Sequence, residues 1–282
     1  MATVTSKDGT RIGYDKYGDG KAPAIILITG ALGVRSEPMK NDLAALLATH
    51  FTVYDYDRRG RGESGDSKPY AVAREIEDIE ALIDLAGGSA ALYGMSSGAV
   101  LALDAANKLP NKVTKLIMYE PPFIIDDSRP PAPVDYVDQL NAAIAKGDRG
   151  GAVEIFMSKA LLIPAEFVAQ MRTAPMSESF SESDGAMPPE WAQMEKVAHT
   201  LAYDGTILQG LMLGKPLPTD RWTAVTAPTL VITGELTEPF FHDGAKALIQ
   251  QLPDARHHLL AGQSHAVMSD VLAPVMIEFL KF

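Results

Sequence analysis

The chain has 282 residues, 46% of them hydrophobic and 22% charged, which is typical of a globular protein and not of a disordered one. A formal net charge of −11 without a basic stripe argues against a nucleic-acid partner or an anionic membrane surface, because phosphate groups are bound by clustered Lys and Arg. Cysteine is absent, which excludes disulfides, a thiolate nucleophile and a cysteine-ligated metal. The sequence shows neither a membrane-length apolar run nor the apolar core of a signal peptide, so we expect a cytoplasmic protein.

The first part of the chain predicts strands that alternate with helices. A hairpin is predicted around Asp8-Gly9. Buried strands are predicted at Ala24–Ile28, Phe51–Tyr56, Ala90–Tyr93 and Lys115–Tyr119, and helices at Pro38–Thr49, Tyr70–Ala86 and Ala99–Asn107. This alternation is typical of a doubly wound, mostly parallel sheet in the α/β class.

The pattern changes at residue 124 and returns near residue 223. Between them we find no convincing strand, only helix-like pieces and a flexible acidic loop at Ser177–Ala186. We therefore predict a helical cap at 124–222, inserted into an α/β core formed by 1–123 and 223–282. Strands resume at Thr229–Thr233 and His257–Leu260, and the helices Phe240–Gln251 and Ser269–Lys281 complete the core.

The most informative stretch runs from Ala90 to Asn107. Its centre, Gly94-Met95-Ser96-Ser97-Gly98, is a G-x-S-x-G motif between a predicted strand and a predicted helix. Gly94 and Gly98 allow the two backbones to approach closely, which leaves Ser96 at the tip of a tight turn. The N-terminus of the helix then stabilises negative charge that develops beside this serine.

With these motifs the chain resembles the α/β-hydrolase superfamily over nearly its whole length. The Gly94–Gly98 turn is similar to the nucleophile elbow, and Asp57–Ser64 (DRRGRGES) is similar to the D-x-R-G-x-G-x-S turn that follows strand four. From the residues alone, most of that second turn is interpreted as a structural loop. The cap after strand six and His265 after the last strand also fit, and the resemblance implies an eight-stranded sheet.

The resemblance implies that Ser96 is the nucleophile and that His265 is the base and then the acid. The other histidines have structural explanations, since none combines a strand-end loop with a late place in the chain. They are His50, His199, His242, His257 and His258.

The carboxylate that orients the histidine is open to three assignments. The usual family position, three residues after Gly234, is occupied by Thr237, which is flanked by Glu235 and Glu238. The other family position, at the end of strand six, is occupied by Glu120. We favour Glu120 and keep Glu235 and Glu238 as alternatives.

The resemblance also implies an oxyanion hole made by two backbone N–H groups. We assign them to Ser97, directly after the nucleophile, and to Ala31, on the loop after strand three. The family often has His-Gly at the start of that loop, whereas this chain has Thr29-Gly30.

These expectations describe a serine hydrolase without cofactor or metal, acting on a small-molecule ester or lactone as a monomer or homodimer. Ser96 argues against epoxide hydrolases and haloalkane dehalogenases, which use an aspartate at the elbow. A carbon–carbon bond hydrolase and a perhydrolase keep the serine and stay as alternatives. The missing acid at Thr237 leaves a third alternative, a ligand-binding, receptor-like protein without catalysis.

Overall fold

A computed structural model describes residues 2–20, 22–35, 38–173 and 189–281. Among these residues, eight strands form one sheet in the order β1-β2-β4-β3-β5-β6-β7-β8. Their bounds are β1 Ala2–Thr5, β2 Arg11–Tyr17, β3 Ala24–Ile28, β4 Thr52–Tyr56, β5 Ala90–Met95, β6 Val113–Tyr119, β7 Thr229–Gly234 and β8 Ala255–Leu260. Strand β2 pairs antiparallel with β1 and β4, and every other pairing is parallel, which confirms the predicted fold class.

Helices cover both faces of the sheet because its central strands are apolar on both sides. The helices of this part of the chain are α1 Pro38–Leu47, α2 Val72–Leu85, α3 Ser97–Lys108, α9 Pro239–Ile249 and α10 Ser269–Lys281. One hydrophobic core includes α2, α3 and α9, and the other includes α1 and α10. No described helix is long and apolar enough to cross a membrane.

The chain divides into two compact units, residues 1–131 with 207–282, and residues 132–206. The second unit lies within the predicted cap segment, 124–222. Its helices are α4 Tyr136–Ala145, α5 Arg149–Ile155, α6 Ala165–Thr173, α7 Pro189–Val197 and α8 Leu201–Ile207, the last of which ends one residue beyond the unit. Within this unit the Asp148 side chain caps α5 by accepting the Gly151 N–H at 2.8 Å.

The observed elements differ from the predicted ones mainly at their ends. Strand β5 continues to Met95, and α3 begins at Ser97, directly after the motif serine. Among the helix-like pieces predicted between residues 124 and 222, α5 is followed by a π-helical turn at Phe156–Ala160. The acidic loop predicted at Ser177–Ala186 lies outside the described residues.

Candidate active site

Ser96 lies at the junction of β5 and α3 in a backbone conformation that serine rarely adopts, with φ +55° and ψ −126°. Close packing enforces this turn. A Cβ added to Gly94 would lie 2.3 Å from the Gly98 carbonyl oxygen, and one added to Gly98 would lie 2.4 Å from the carbonyl oxygens of Ile28 and Thr29. Only glycine fits at either position, so the two glycines bring strand and helix together around a half-buried Ser96.

Glu120 lies at the end of the neighbouring strand β6. The Ser96 N–H donates to the Tyr119 carbonyl at 2.9 Å, which joins the Gly94–Gly98 turn to the residue before Glu120. Glu120 also has a positive φ, +47°, and its side chain is 0% exposed. Its Oε1 accepts the Gly234 N–H at 2.8 Å, so one carboxylate oxygen is fixed by the next strand, β7.

The other carboxylate oxygen of Glu120 contacts His265. Glu120 Oε2 lies 2.6 Å from His265 Nδ1, across 145 residues of sequence. A carboxylate accepts a hydrogen bond there only when Nδ1 carries the proton, which leaves Nε2 with a free lone pair. The imidazole is 41% exposed at its side chain, so it remains accessible as a base.

Two aromatic residues that the sequence analysis did not select hold the histidine loop. The Tyr119 hydroxyl donates to the Ser264 carbonyl at 2.6 Å, and burial and the nearby Glu120 raise the pKa of this phenol, so it stays a donor. The Phe241 ring stacks on the His265 ring with centroids 5.2 Å apart and planes at 20°. In the sequence, strand and helix periodicity assigns both residues to the hydrophobic core, and no pattern indicates that either one contacts the histidine loop.

The alternative acids contact other groups. Glu235 accepts the Gly262 N–H at 2.8 Å, and Glu238 pairs with Arg129 at 3.0 Å. Thr237, at the usual family position, donates its hydroxyl to the Gly234 carbonyl at 3.0 Å. Of the three candidates, the structure therefore brings Glu120 to His265.

The loop after β3, residues 29–33, lies against Ser96. A Cβ added to Gly30 would be 3.0 Å from Ser96 Cβ, so Ala31 follows a residue in direct contact with the serine. The Thr29 hydroxyl, where the family often has histidine, donates to the Gly33 carbonyl at 3.3 Å. Ser97 is the first residue of α3, and the N–H groups of a first helical turn point out of its N-terminus.

The Asp57–Ser64 turn carries two buried ion pairs. Arg58 binds Glu75 through two contacts of 2.8 Å, and Arg59 binds Asp78 at 2.6 and 3.0 Å. Burial raises the pKa of the Asp57 carboxyl, whose oxygens accept the backbone N–H groups at Arg35 and Glu63. These contacts agree with the interpretation of most of this turn as a structural loop.

A cavity of about 180 Å³ with mostly apolar walls lies on the α1 and α10 side of the sheet. Its lining includes Met95, directly before Ser96, and Ala266, directly after His265. Tyr93 and Asp55 add polar groups to the wall. Among the described residues, no group of three or more His, Asp or Glu side chains is arranged to hold a metal ion.

The sequence profile of the Alpha/beta hydrolase family matches residues 25–275. The chain belongs to this family. The match covers the Gly94–Gly98 turn, Glu120 and His265, and the eight-stranded sheet agrees with it.

Three known proteins are similar to this chain over different lengths. An alpha/beta hydrolase of known structure from Sphaerobacter thermophilus DSM 20745 is 44% identical, with a TM-score of 0.84 over 99% of this chain and 100% of that one. A non-heme chloroperoxidase from Streptomyces lividans is 24% identical over the full length of both proteins. The uncharacterized hydrolase YraK from Bacillus subtilis (strain 168) is 33% identical over 117 residues, which span 40% of this chain and only 42% of YraK.

Proposed function

We propose that this family member is a serine hydrolase that cleaves a small ester or lactone through an acyl-enzyme on Ser96. The observation that carries the proposal is the 2.6 Å contact between Glu120 Oε2 and His265 Nδ1, at the end of a strand whose Tyr119 carbonyl accepts the N–H of the strained Ser96. A serine hydroxyl is a weak nucleophile unless a base removes its proton during attack. The contact with Glu120 supports His265 as that base, because it directs the basic Nε2 lone pair away from the carboxylate.

The reaction proceeds in two halves. Ser96 Oγ attacks the carbonyl carbon, its proton passes to His265 Nε2, and the carbonyl electron pair moves to the oxygen. The tetrahedral intermediate then expels the alkoxide, which takes the proton from His265, and Ser96 is left acylated. Water repeats these steps against the acyl-enzyme and releases the acid. Glu120 stabilises the imidazolium that forms in each half.

The N–H groups of Ala31 and Ser97 stabilise the oxyanion in both halves. Gly30 packs against Ser96, and α3 begins at Ser97, so both amides belong to segments that border the nucleophile. Donors held in advance at the position of the developing charge lower the barrier without reorganising during the reaction.

The cavity lined by Met95 and Ala266, the sequence neighbours of Ser96 and His265, supports a small, largely apolar acyl or alcohol group. Its volume of about 180 Å³ is below the 300–1,000 Å³ typical of drug-sized ligands. We therefore expect short-chain esters or small lactones to be hydrolysed faster than long-chain ones.

The similarity to a non-heme chloroperoxidase favours a second candidate, perhydrolysis. In this reaction hydrogen peroxide replaces water: one peroxide oxygen attacks the acyl carbon as its proton passes to His265. The bond between the acyl carbon and Ser96 Oγ then breaks, His265 returns the proton to Oγ, and a peracid is released. Both candidates share the same acyl-enzyme and differ only in what accepts the acyl group.

The non-catalytic alternative loses its main support. It rested on the missing acid at Thr237, and Glu120 supplies a carboxylate to His265 from another strand. In a serine hydrolase such a carboxylate fixes the tautomer of the histidine and stabilises its cation.

The test is turnover of aryl acetate, aryl butyrate, aryl decanoate and small lactones by the wild type and by Ser96→Ala. We expect hydrolysis that is fastest for the short acyl chains and lost in Ser96→Ala. Peracid formation in added hydrogen peroxide, faster than acid release, would assign perhydrolysis instead. Cleavage of a diketone but of no ester would favour a carbon–carbon bond hydrolase. No Ser96-dependent turnover of any substrate would contradict both candidates.

A further inference from the structure

Arg61 is a buried cation whose side chain reaches the loop beside the nucleophile. It occupies a variable position of the turn motif, between Gly60 and Gly62, and is only 1% exposed. Its Nη1 donates to the Gly30 carbonyl at 2.5 Å and to the Gly33 carbonyl at 3.3 Å. The guanidinium therefore binds two backbone carbonyls of the loop that contains Ala31.

The contact with Gly30 fixes a whole peptide unit. The Gly30 carbonyl and the Ala31 N–H belong to the same planar trans peptide and point in opposite directions. Because the carbonyl is held by Arg61, the Ala31 N–H is directed away from the guanidinium. Gly30 itself packs against Ser96.

Two features indicate that the backbone of this loop needs stabilisation by a side chain. Leu32 adopts φ +61°, a left-handed conformation that is unfavourable for leucine. The Gly33 N–H closes the turn on the Gly30 carbonyl only at 3.4 Å, a long hydrogen bond. The shorter charged contact from Arg61 therefore stabilises a turn that its own backbone bond holds weakly.

We infer that Arg61 is a positioning residue that sets the Gly30–Ala31 peptide so that the Ala31 N–H serves as an oxyanion donor. The cation also draws electron density from the Gly30 carbonyl, which makes the N–H of the same peptide a stronger donor. This inference rests on the proposed serine hydrolysis, but the orientation of the peptide is measurable without turnover.

The kinetic test compares an aryl ester with its thiono counterpart, in which sulfur replaces the carbonyl oxygen. Sulfur accepts hydrogen bonds weakly, so the thiono ester gains little from the oxyanion donors. We expect Arg61→Met to lower kcat on the oxygen ester by about 100-fold with little change in KM, and to lower it far less on the thiono ester. Arg61→Lys, which keeps the charge without the fork, should recover part of the loss.

Arg59→Lys is the matched control. Arg59 is equally buried and pairs with Asp78, and none of its hydrogen bonds described above reaches the loop. It should lower Tm while it leaves the ratio of oxygen-ester to thiono-ester rates unchanged. Equal losses on both substrates in Arg61→Met would overturn the inference and leave Arg61 a merely structural residue.

A crystal structure of Arg61→Met separates this inference from the proposed function. We expect the Gly30–Ala31 peptide to rotate or to adopt two orientations. A peptide in its wild-type orientation would overturn the inference, whether or not the wild type hydrolyses esters. Absence of wild-type turnover together with a rotated peptide would contradict the hydrolysis and support the role of Arg61 in the backbone.

Discussion

The two halves of the candidate site are built in different ways. The nucleophile turn is local, because Gly94, Ser96 and Gly98 lie within five residues and the turn joins one strand to the next helix. The acid–base half is non-local: Glu120 contacts a backbone amide 114 residues away and an imidazole 145 residues away. A site formed by neighbouring residues leaves a motif in the sequence. A site formed by distant residues depends on which strand ends lie side by side in the sheet.

We expect the largest loss of activity from a substitution in the acid–base half of the site. Glu120→Gln leaves the nucleophile turn intact but removes the charge that orients His265 and stabilises its cation. We expect kcat to fall by about 10⁴-fold in an ester assay, as is typical when the acid of such a triad becomes an amide.

Glu235→Gln and Glu238→Gln are the matched controls, because each carboxylate contacts a group other than His265. Both should keep nearly full activity. A large loss in either one with little loss in Glu120→Gln would reassign the acid.

The second effect tests the local half. Gly98→Ala places a Cβ 2.4 Å from the carbonyl oxygens of Ile28 and Thr29, so the backbone must move. We expect a loss of about 1–3 kcal/mol in the free energy of unfolding, measured in urea, together with loss of activity.

Gly210→Ala provides the comparison, because φ there is +81° but a Cβ would meet open space. Gly210→Ala should lower the free energy of unfolding through backbone strain alone and leave activity unchanged. Wild-type stability and activity in Gly98→Ala would show that the turn does not depend on this close approach.

A smaller effect concerns the ring stacked on the base. Phe241→Leu removes the aromatic face from His265 but keeps an apolar side chain. We expect kcat/KM to fall by about 2- to 13-fold, equivalent to the roughly 0.5–1.5 kcal/mol typical of an aromatic pair. In the control Phe240→Leu, the lost ring packs on Phe241 and Arg129, and we expect a smaller change. Equal effects in the two variants would contradict a specific role of the stacking.

The smallest expected effect concerns His257, in strand β8, which precedes the loop that contains His265. Burial, followed by the charges of His242, Lys246 and His258, lowers the pKa of His257, whose Nε2 lies 2.8 Å from Thr233 Oγ1. Below pH 6.5, the ordinary pKa of histidine, the unfolded chain therefore binds a proton that the folded chain does not, and stability falls as pH falls.

This dependence is measured against His257→Gln, which does not titrate. The stability advantage of the wild type over the variant should shrink as the pH is lowered through 6.5. An advantage that grows at low pH would contradict the assigned direction of the shift.

The sequence predicted the fold class because apolar strands alternate regularly with helices up to Tyr119 and again after residue 228. It also predicted Ser96 and His265 as candidates, since a motif marks the first and a place after the last strand marks the second. It left three acids open because residue spacing does not show which carboxylate faces the histidine. Tyr119 and Phe241 were missed because buried aromatic residues look alike in sequence whether or not they touch a site.

The central claim is that Glu120 and His265 activate Ser96. Its most direct test is labelling with a small fluorophosphonate, followed by intact mass and peptide mapping, because this reagent reacts with an activated serine and not with an ordinary one. We predict a single adduct on Ser96 in the wild type, absent in His265→Ala and strongly slowed in Glu120→Gln. Labelling of Ser96 at the wild-type rate in both variants, or no labelling of the folded wild type, would contradict the claim.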